Sequence, residues 1–574
     1  MLHLELACSA SLIKTCSSSA PCMNREGEGK LKGKSCLALF AAIVMLCVWI
    51  PEKGEAEPDA VPVRDAVEAL GGTVLWVKEE KAAKVLLGNR KWNITPGSAR
   101  SEIDGLPLDL PKPAVLNRMG RLYVPVSAFH EALGVQMNFR DGRWRASEAD
   151  PAGLGMYWMR LLQLGEYGEA RDMMSPGLAK LFSADVLERY KRHLEESYGS
   201  WTLIQAGSTE NRVHRNAVLS YQTPRGRSFR MELRFGRDGK LDDLALLPNV
   251  SDRYRPPSYD AHGRYITENV IVGTASLPLP GTLTLPAGAG EKVPAVVLVH
   301  GSGPNDADES SGGGKMFRDI AVGLAREGIA VLRYAKRTYE YPNRSLTPHF
   351  TVREETVEDA LSAVGLLRQD KRIDPDRIFV LGHSQGGMLL PAIIEEDRGG
   401  SIAGGMLLSA PSGALEDLML SQYEGILKRA EEAGETGAEL ERKQANLHTW
   451  RRAVDMLHDD RYSKARLPAD FPLPNAYWWF DIREYSGPMI ARGQDVPLFI
   501  LQGGNDVQVP LSSLKVWKQA LGTRTDVSCK LYPGLNHMYA LYDRPSTGDE
   551  YRFASNVPEF VIRDLADWIH LGIK

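Results

Sequence analysis

Beyond its first 47 residues the chain has one cysteine, Cys529; the other five, Cys8, Cys16, Cys22, Cys36 and Cys47, crowd the N-terminus. With that leader removed no intramolecular disulfide can form, so this is no disulfide-stapled scaffold. No Cys/His cluster has zinc-site spacing either. Charge of one sign is lacking: 69 Lys and Arg stand against 73 Asp and Glu, a net charge of −4. Without a clustered basic face, nothing points to a nucleic-acid partner. The leader's apolar run is short for a membrane span as well. Unbroken from Cys36 to Ile50, it has 15 residues, where a spanning helix needs ~20. What remains is ordinary globular composition, 43% hydrophobic and 25% charged over 574 residues, enough at ~150 residues per domain for three or four domains.

The short apolar run reads as the core of an export signal. Lys30, Lys32 and Lys34 precede it, Pro51 ends it, and Gly54-Glu55-Ala56 supplies small residues for cleavage. An uncleaved anchor is the alternative. Cys47 makes a poor lipoprotein site, because bulky Leu46 occupies a position where a small residue is needed. Met23 to Ala56 alone makes a complete signal peptide, so Met23 is the expected start. Residues 1–56 are therefore assigned as leader, and the protein is expected to be secreted or held at the cell surface.

Residues 57–150 contain two related units. Each has Val-Pro-Val (Val61 to Val63, then Val124 to Val126), Ala-Leu-Gly ending at Gly71 or Gly134, and a short strand. The pattern predicts a strand, an amphipathic helix closed by glycine and a return strand, and so a duplicated α+β module. It resembles the copper amine oxidase N-terminal-like domain of bacterial surface proteins. The resemblance implies contact with the cell envelope, not bound copper: His130 is the segment's one histidine, and a lone helix histidine is no ligand set. Residues 151–250 show helical spacing, then strand alternation in Ala217 to Tyr221 and Phe229 to Phe235, with a turn at Gly236 to Gly239. They read as a small α+β domain, similar to cystatin-like or nuclear-transport-factor-like domains. Pro256 and Pro257 mark a linker.

Residues 259–574 alternate strands and helices: apolar Val293 to Val299, helical Met316 to Glu327, strand Ile329 to Arg333, helical Glu354 to Gln369, strand Asp376 to Leu381, helical Gly387 to Glu396, strand Gly404 to Ser409, strand Val496 to Leu501, helical Leu511 to Leu521, strand Ser528 to Tyr532 and helical Asn556 to His570. That alternation predicts an α/β class, with a mostly parallel, doubly wound sheet. About residues 411–492 the strands stop, as for a helical lid inserted into the framework.

Gly382-His-Ser-Gln-Gly386 fits G-x-S-x-G. A five-residue string is weak evidence alone; its place between a strand and a helix is what a strained, exposed nucleophile requires. Serine needs a base, and the base an orienting carboxylate. His537 lies in the loop after the last strand, and Asp506 in the loop after the strand before it. Ser384, Asp506 and His537 are the expected nucleophile, acid and base, with Asp543 the rival acid on the wrong side of the histidine. Two N–H donors should stabilise the oxyanion. Gln385 supplies one, and the loop His300 to Asp308 the other, through Ser302 or else Gly303. That loop has neither the Walker lysine spacing nor G-x-G-x-x-G, which argues against phosphate binding.

With these motifs quoted, the last three hundred residues resemble the bacterial α/β-hydrolase esterases whose oxyanion loop reads H-G-S-G-P-x-D and whose elbow reads G-H-S-x-G-G. The resemblance implies carboxylesterase action on a small ester through an acyl-enzyme on Ser384, without metal or organic cofactor. It gives Asp306 a loop-bracing part. Peptidase, acyl-peptide hydrolase or thioesterase action with the same triad is the alternative, and envelope binding by residues 57–150 the non-enzymatic one. Tyr477, Trp478 and Trp479 either line an acyl pocket or pack the lid onto the body.

Overall fold

A computed structural model describes residues 59–140, 143–247, 253–261, 263–288 and 290–571. The leader lies outside them. Among the described residues, no helix is long and apolar enough to cross a membrane.

In the first segment, strand Ala60–Pro62 runs into helix Val63–Ala69, and strand Leu122–Pro125 into helix Val126–Leu133. The two strands pair antiparallel with Val61 opposite Val124, so the two Val-Pro-Val units meet about a local two-fold. Proline suits the entry to each helix, where its fixed φ is pre-set and no N–H is lost from the ladder. Between the units the structure adds a five-stranded antiparallel sheet over 73–109 that the pattern did not reveal. Its strands are short and interrupted by Lys84, Lys91 and Asn93 on the outer face. His130 is exposed.

In the second segment, helices Pro151–Leu164 and Ala184–Tyr198 pack on an antiparallel sheet built in sequence order from Thr202–Glu210, Arg215–Gln222, Ser228–Phe235 and Leu241–Leu247. Its buried side chains form one continuous cluster with those of the first segment, from Val61 to Leu244. The two segments therefore share a core.

The third segment holds an eight-stranded sheet: β1 (Tyr265–Gly273), β2 (Pro278–Pro286), β3 (Val293–Val299), β4 (Ala330–Tyr334), β5 (Ile373–His383), β6 (Ile402–Leu408), β7 (Leu498–Gly503) and β8 (Val527–Tyr532), in the order β1-β2-β4-β3-β5-β6-β7-β8. From β4 to β8 all neighbours are parallel, while β1 and β2 are antiparallel. This antiparallel pair was not predicted, because Pro278, Pro280 and Gly281 break the apolar pattern; such residues are tolerated towards a sheet edge. Alternation sends β3 side chains to both faces: Ala295, Val297 and Val299 join one core, Val296 and Leu298 the other. Helix Glu358–Gln369 covers the first face, and helices Met316–Arg326 and Glu559–His570 the second.

Two helices depart from the sequence reading. The run from Glu354 opens with a π-turn, Arg353–Val357, before the α-helix. The helix expected from Gly387 begins earlier, as Gln385–Met388, and restarts as Leu390–Glu396. Pro391 lacks an N–H and its ring crowds the carbonyl one turn back, so the helix cannot run through. The insert carries helices Leu415–Glu432, Ala438–Leu457, Ala476–Ile482 and Gly487–Arg492.

The middle domain grips the loop after β4. His214 Nδ1 lies 2.6 Å from Glu340 and its Nε2 3.1 Å from Asp242. Arg234 donates to the carbonyls of Tyr339 and Glu340, and Asn343 Nδ2 donates to Asp243 at 2.7 Å.

Candidate active site

Strand β5 ends at His383, and Ser384 follows with φ 51° and ψ −118°. A non-glycine residue held there carries roughly 1–3 kcal/mol of strain. The surroundings impose it. A Cβ on Gly382 would stand 2.3 Å from the Gly386 carbonyl oxygen, and one on Gly386 2.4 Å from that of Val299. The turn can therefore close only with glycine at both places. The Ser384 N–H donates to the Leu408 carbonyl at 2.8 Å, which fixes the elbow against β6.

The base loop is a tight turn. Asn536 Oδ1 accepts from the N–H groups of Met538 and Ala540 at 3.1 and 3.0 Å, leaving His537 at the tip. Tyr539, at φ 56°, anchors the turn by accepting the Ser409 N–H at its hydroxyl. Asp506 Oδ1 accepts from the backbone N–H groups of Gln508 and Val509, both at 2.8 Å. Its Oδ2 lies 2.8 Å from His537 Nδ1. Burial pushes the Asp506 carboxyl up, but His537 and these hydrogen bonds outweigh it and hold the acid below its ordinary value. The ionised Asp506 thus fixes the proton on Nδ1, which leaves Nε2 as the basic nitrogen. Asp543 is excluded as acid: its side chain is 93% exposed.

A second pair, His383 and Glu309, adjoins Ser384. His383 Nδ1 faces Glu309 Oε1 at 3.1 Å, and its Nε2 faces the His537 carbonyl at 3.0 Å. The imidazoles of His383 and His537 lie 4.6 Å apart. Burial opposes the charge on His383, yet Glu309 beside it raises its pKa overall. Glu309 is correspondingly lowered against its own burial. Glu309 Oε1 also accepts the Gly301 N–H at 2.7 Å, so one carboxylate joins the oxyanion loop to the elbow and, through His383, to the base loop. Glu309 itself sits at φ 48°.

That bond removes the Gly301 N–H from the candidate oxyanion donors. Asn305 Nδ2 gathers the carbonyls of Gly301, Ser302 and Gly303 at 3.3, 3.3 and 3.2 Å. In a trans peptide the N–H points opposite the carbonyl, so the Ser302 and Gly303 N–H groups face away from Asn305. Gly301 flanks Ser384: a Cβ there would stand 3.2 Å from Ser384 Cβ. Gln385 opens its helix, where an N–H has no carbonyl one turn back. Asp306 Oδ1 accepts from the N–H groups of Asp308 and Ser310 and braces the loop, its pKa raised by burial.

The insert aromatics are placed as follows. Trp478 is 9% exposed, packs with Met388, Leu389 and Leu415, and donates its indole N–H to Glu355 at 2.8 Å. Trp479 packs edge-on against Trp450 and Trp478. Tyr477 is half-buried beside His349. The two tryptophans therefore fasten the insert to the elbow helix and to its own core. Among the described residues no cluster of His, Cys, Asp and Glu could hold a metal ion.

Glu309, Lys336, Glu355 and the structural part of His383 were not read from the sequence. His383 sits inside the quoted elbow motif and Glu309 directly follows the quoted loop His300 to Asp308; no pattern in the sequence marked the pairing of either.

Residues 296–548 match the model of the alpha/beta hydrolase family, and residues 55–147 that of the copper amine oxidase N-terminal domain. The chain is 34% identical over 339 residues to Esterase EstD of Thermotoga maritima, covering 58% of this chain and 74% of that protein. Among solved structures, Est1E from Butyrivibrio proteoclasticus aligns at 15% identity and TM-score 0.35, over 53% of this chain and 98% of its own. A Pyrococcus furiosus esterase aligns at 14% identity and TM-score 0.35, over 57% and 97%.

Proposed function

We propose a serine ester hydrolase, starting from the fact that this chain belongs to the α/β-hydrolase family. The observation that carries the reading is the Asp506–His537 pair at 2.8 Å on loops beside a serine held in a strained elbow. The relative named as an esterase supports an ester as substrate.

His537 Nε2 takes the proton of Ser384 Oγ as that oxygen attacks the ester carbonyl. The N–H groups of Gln385 and Ser302, with Gly303 as the adjacent donor, stabilise the developing oxyanion. The imidazolium, oriented by Asp506, then gives its proton to the leaving alcohol. Water enters with His537 again as base and releases the carboxylic acid from Ser384. Ser384→Ala should abolish turnover of nitrophenyl acyl esters and labelling by a fluorophosphonate. Undiminished turnover in that variant would remove the assignment. A parallel panel of aminoacyl amides and thioesters separates ester from amide or thioester action.

We further propose that residues 1–56 export the protein and that residues 57–150 contact the cell envelope. Fractionation of expressing cells tests the first: full-length chain confined to the cytoplasm refutes it. Retention of the intact protein on isolated cell wall tests the second: no retention refutes it.

A further inference from the structure

Lys336 follows β4 and is 3% exposed. An ammonium has three N–H donors, and three acceptors meet this one: the Gly301 carbonyl at 2.9 Å, Gln385 Oε1 at 3.3 Å and Glu355 Oε1 at 2.8 Å. The first two belong to the oxyanion site. The Gly301 carbonyl shares its peptide with the Ser302 N–H, and Gln385 carries the other proposed donor. Gln385 is 1% exposed and its Nε2 has no hydrogen-bond partner, so Lys336 supplies the polar anchor of that side chain. A cation on a peptide carbonyl also polarises the N–H at its other end, which strengthens that donor.

The third acceptor leads to the insert. Glu355 is 6% exposed and sits in the π-turn Arg353–Val357, a local irregularity that often marks functional sites. Its second oxygen accepts the Trp478 indole N–H at 2.8 Å, across 123 residues of chain.

We propose that Lys336 is a positioning residue of the acyl transfer, orienting both peptide groups of the oxyanion hole at once, and that the insert sets it through Trp478 and Glu355. The inference rests on the esterase reading above. The ammonium touches protein acceptors on all three sides, so it acts through the hole and not on the substrate.

Removing Lys336 alone would strand Glu355 as an unpaired buried charge. The test therefore uses the double variant Lys336→Met/Glu355→Gln, with Trp478→Phe, which keeps an aromatic side chain and deletes the N–H, and Ser384→Ala. For each, kcat and KM on nitrophenyl acetate, inhibition by a trifluoromethyl ketone and the melting temperature are measured. A ketone of this kind forms a reversible oxyanion adduct and so reports the hole directly. The double variant should lose kcat by about 10- to 100-fold with KM within about twofold, and bind the ketone more weakly by the same factor. Trp478→Phe should lower kcat by roughly 3- to 10-fold at unchanged KM, a fraction of a donor's full effect. A double variant with kcat and ketone affinity unchanged but a lower melting temperature would reduce Lys336 to packing and overturn the proposal. If that variant does not fold, Trp478→Phe decides, because a change in KM alone overturns the coupling. Undiminished turnover in Ser384→Ala sinks the esterase reading instead, whatever the Lys336 variants do.

Discussion

Replacing Asp506 by asparagine should cost about 10,000-fold in kcat, close to 5.5 kcal/mol of transition-state stabilisation. The reasoning is geometric. Oδ1 of Asp506 accepts from two backbone N–H groups at 2.8 Å, while Oδ2 faces two further donors, His537 Nδ1 at 2.8 Å and Gln502 Nε2 at 3.3 Å. An amide has one oxygen and one NH2. If its oxygen keeps the two backbone bonds, its NH2 meets His537 Nδ1. The imidazole must then accept there and carry its proton on Nε2, where it can no longer take the proton of Ser384. If the amide flips, two backbone N–H groups lose their acceptor, and the loop that positions the residue is disturbed. Steady-state kinetics on nitrophenyl acetate, with circular dichroism to confirm folding, measures the effect. Asp543→Asn is the internal control and should leave kcat unchanged, because that side chain is 93% exposed. A folded Asp506→Asn enzyme within tenfold of wild-type kcat would falsify the assigned acid.

Glycine substitutions should split by environment. Gly382→Ala places a methyl 2.3 Å from the Gly386 oxygen and should abolish fluorophosphonate labelling of Ser384. Gly365→Ala, within helix Glu358–Gln369 and with nothing within 4 Å, should stabilise by up to about 1 kcal/mol, read as a higher melting temperature. His214→Ala should destabilise by about 3 kcal/mol, the cost of breaking a buried ion pair, since it takes from Glu340, 2% exposed, its 2.6 Å partner and leaves the Asn211 Nδ2 bond at 3.3 Å. Its pH dependence has a definite sign. Burial opposes the charge, but Asp242 and Glu340 raise His214 overall, while those carboxylates are lowered against their own burial. The histidine contribution is complete below its unfolded pKa of about 6.5 and lost as pH rises through the raised folded value. The carboxylate contribution is complete above about pH 5 and lost as pH falls through the lowered values. The melting-temperature gap between wild type and His214→Ala should therefore be widest near pH 6 and shrink towards pH 9; a gap that grows with pH would contradict the pairing.

The sequence by itself singled out Ser384 as the proposed nucleophile, because an elbow needs glycines two residues either side of the serine and that requirement is local. It also pointed to Asp506 and His537 as the proposed acid and base, because in a parallel sheet each loop follows its strand, so the order of strands and loops along the chain orders the candidate site. The α/β class followed from apolar runs alternating with helical periods, which the two-faced burial of β3 explains. The helix broken at Leu389 was within reach, since Pro391 is visible; the antiparallel β1–β2 pair was hidden by Pro278 and Pro280, which β2 tolerates because they precede its pairing with β4 at Gly281 to Thr284.

Tertiary structure alone decided which charges meet. Glu309 and His383 are 74 residues apart and Glu355 and Trp478 123 apart, and no period or motif spans such distances. The middle domain's hold on the loop carrying Lys336 is of the same kind, since His214 and Glu340 are separated by 126 residues. The fate of the insert aromatics was likewise open, because a tryptophan facing a substrate and one facing a core look alike in a sequence. Local sterics are written residue by residue, whereas pairing between buried charges depends on which loops the folded sheet brings to one end.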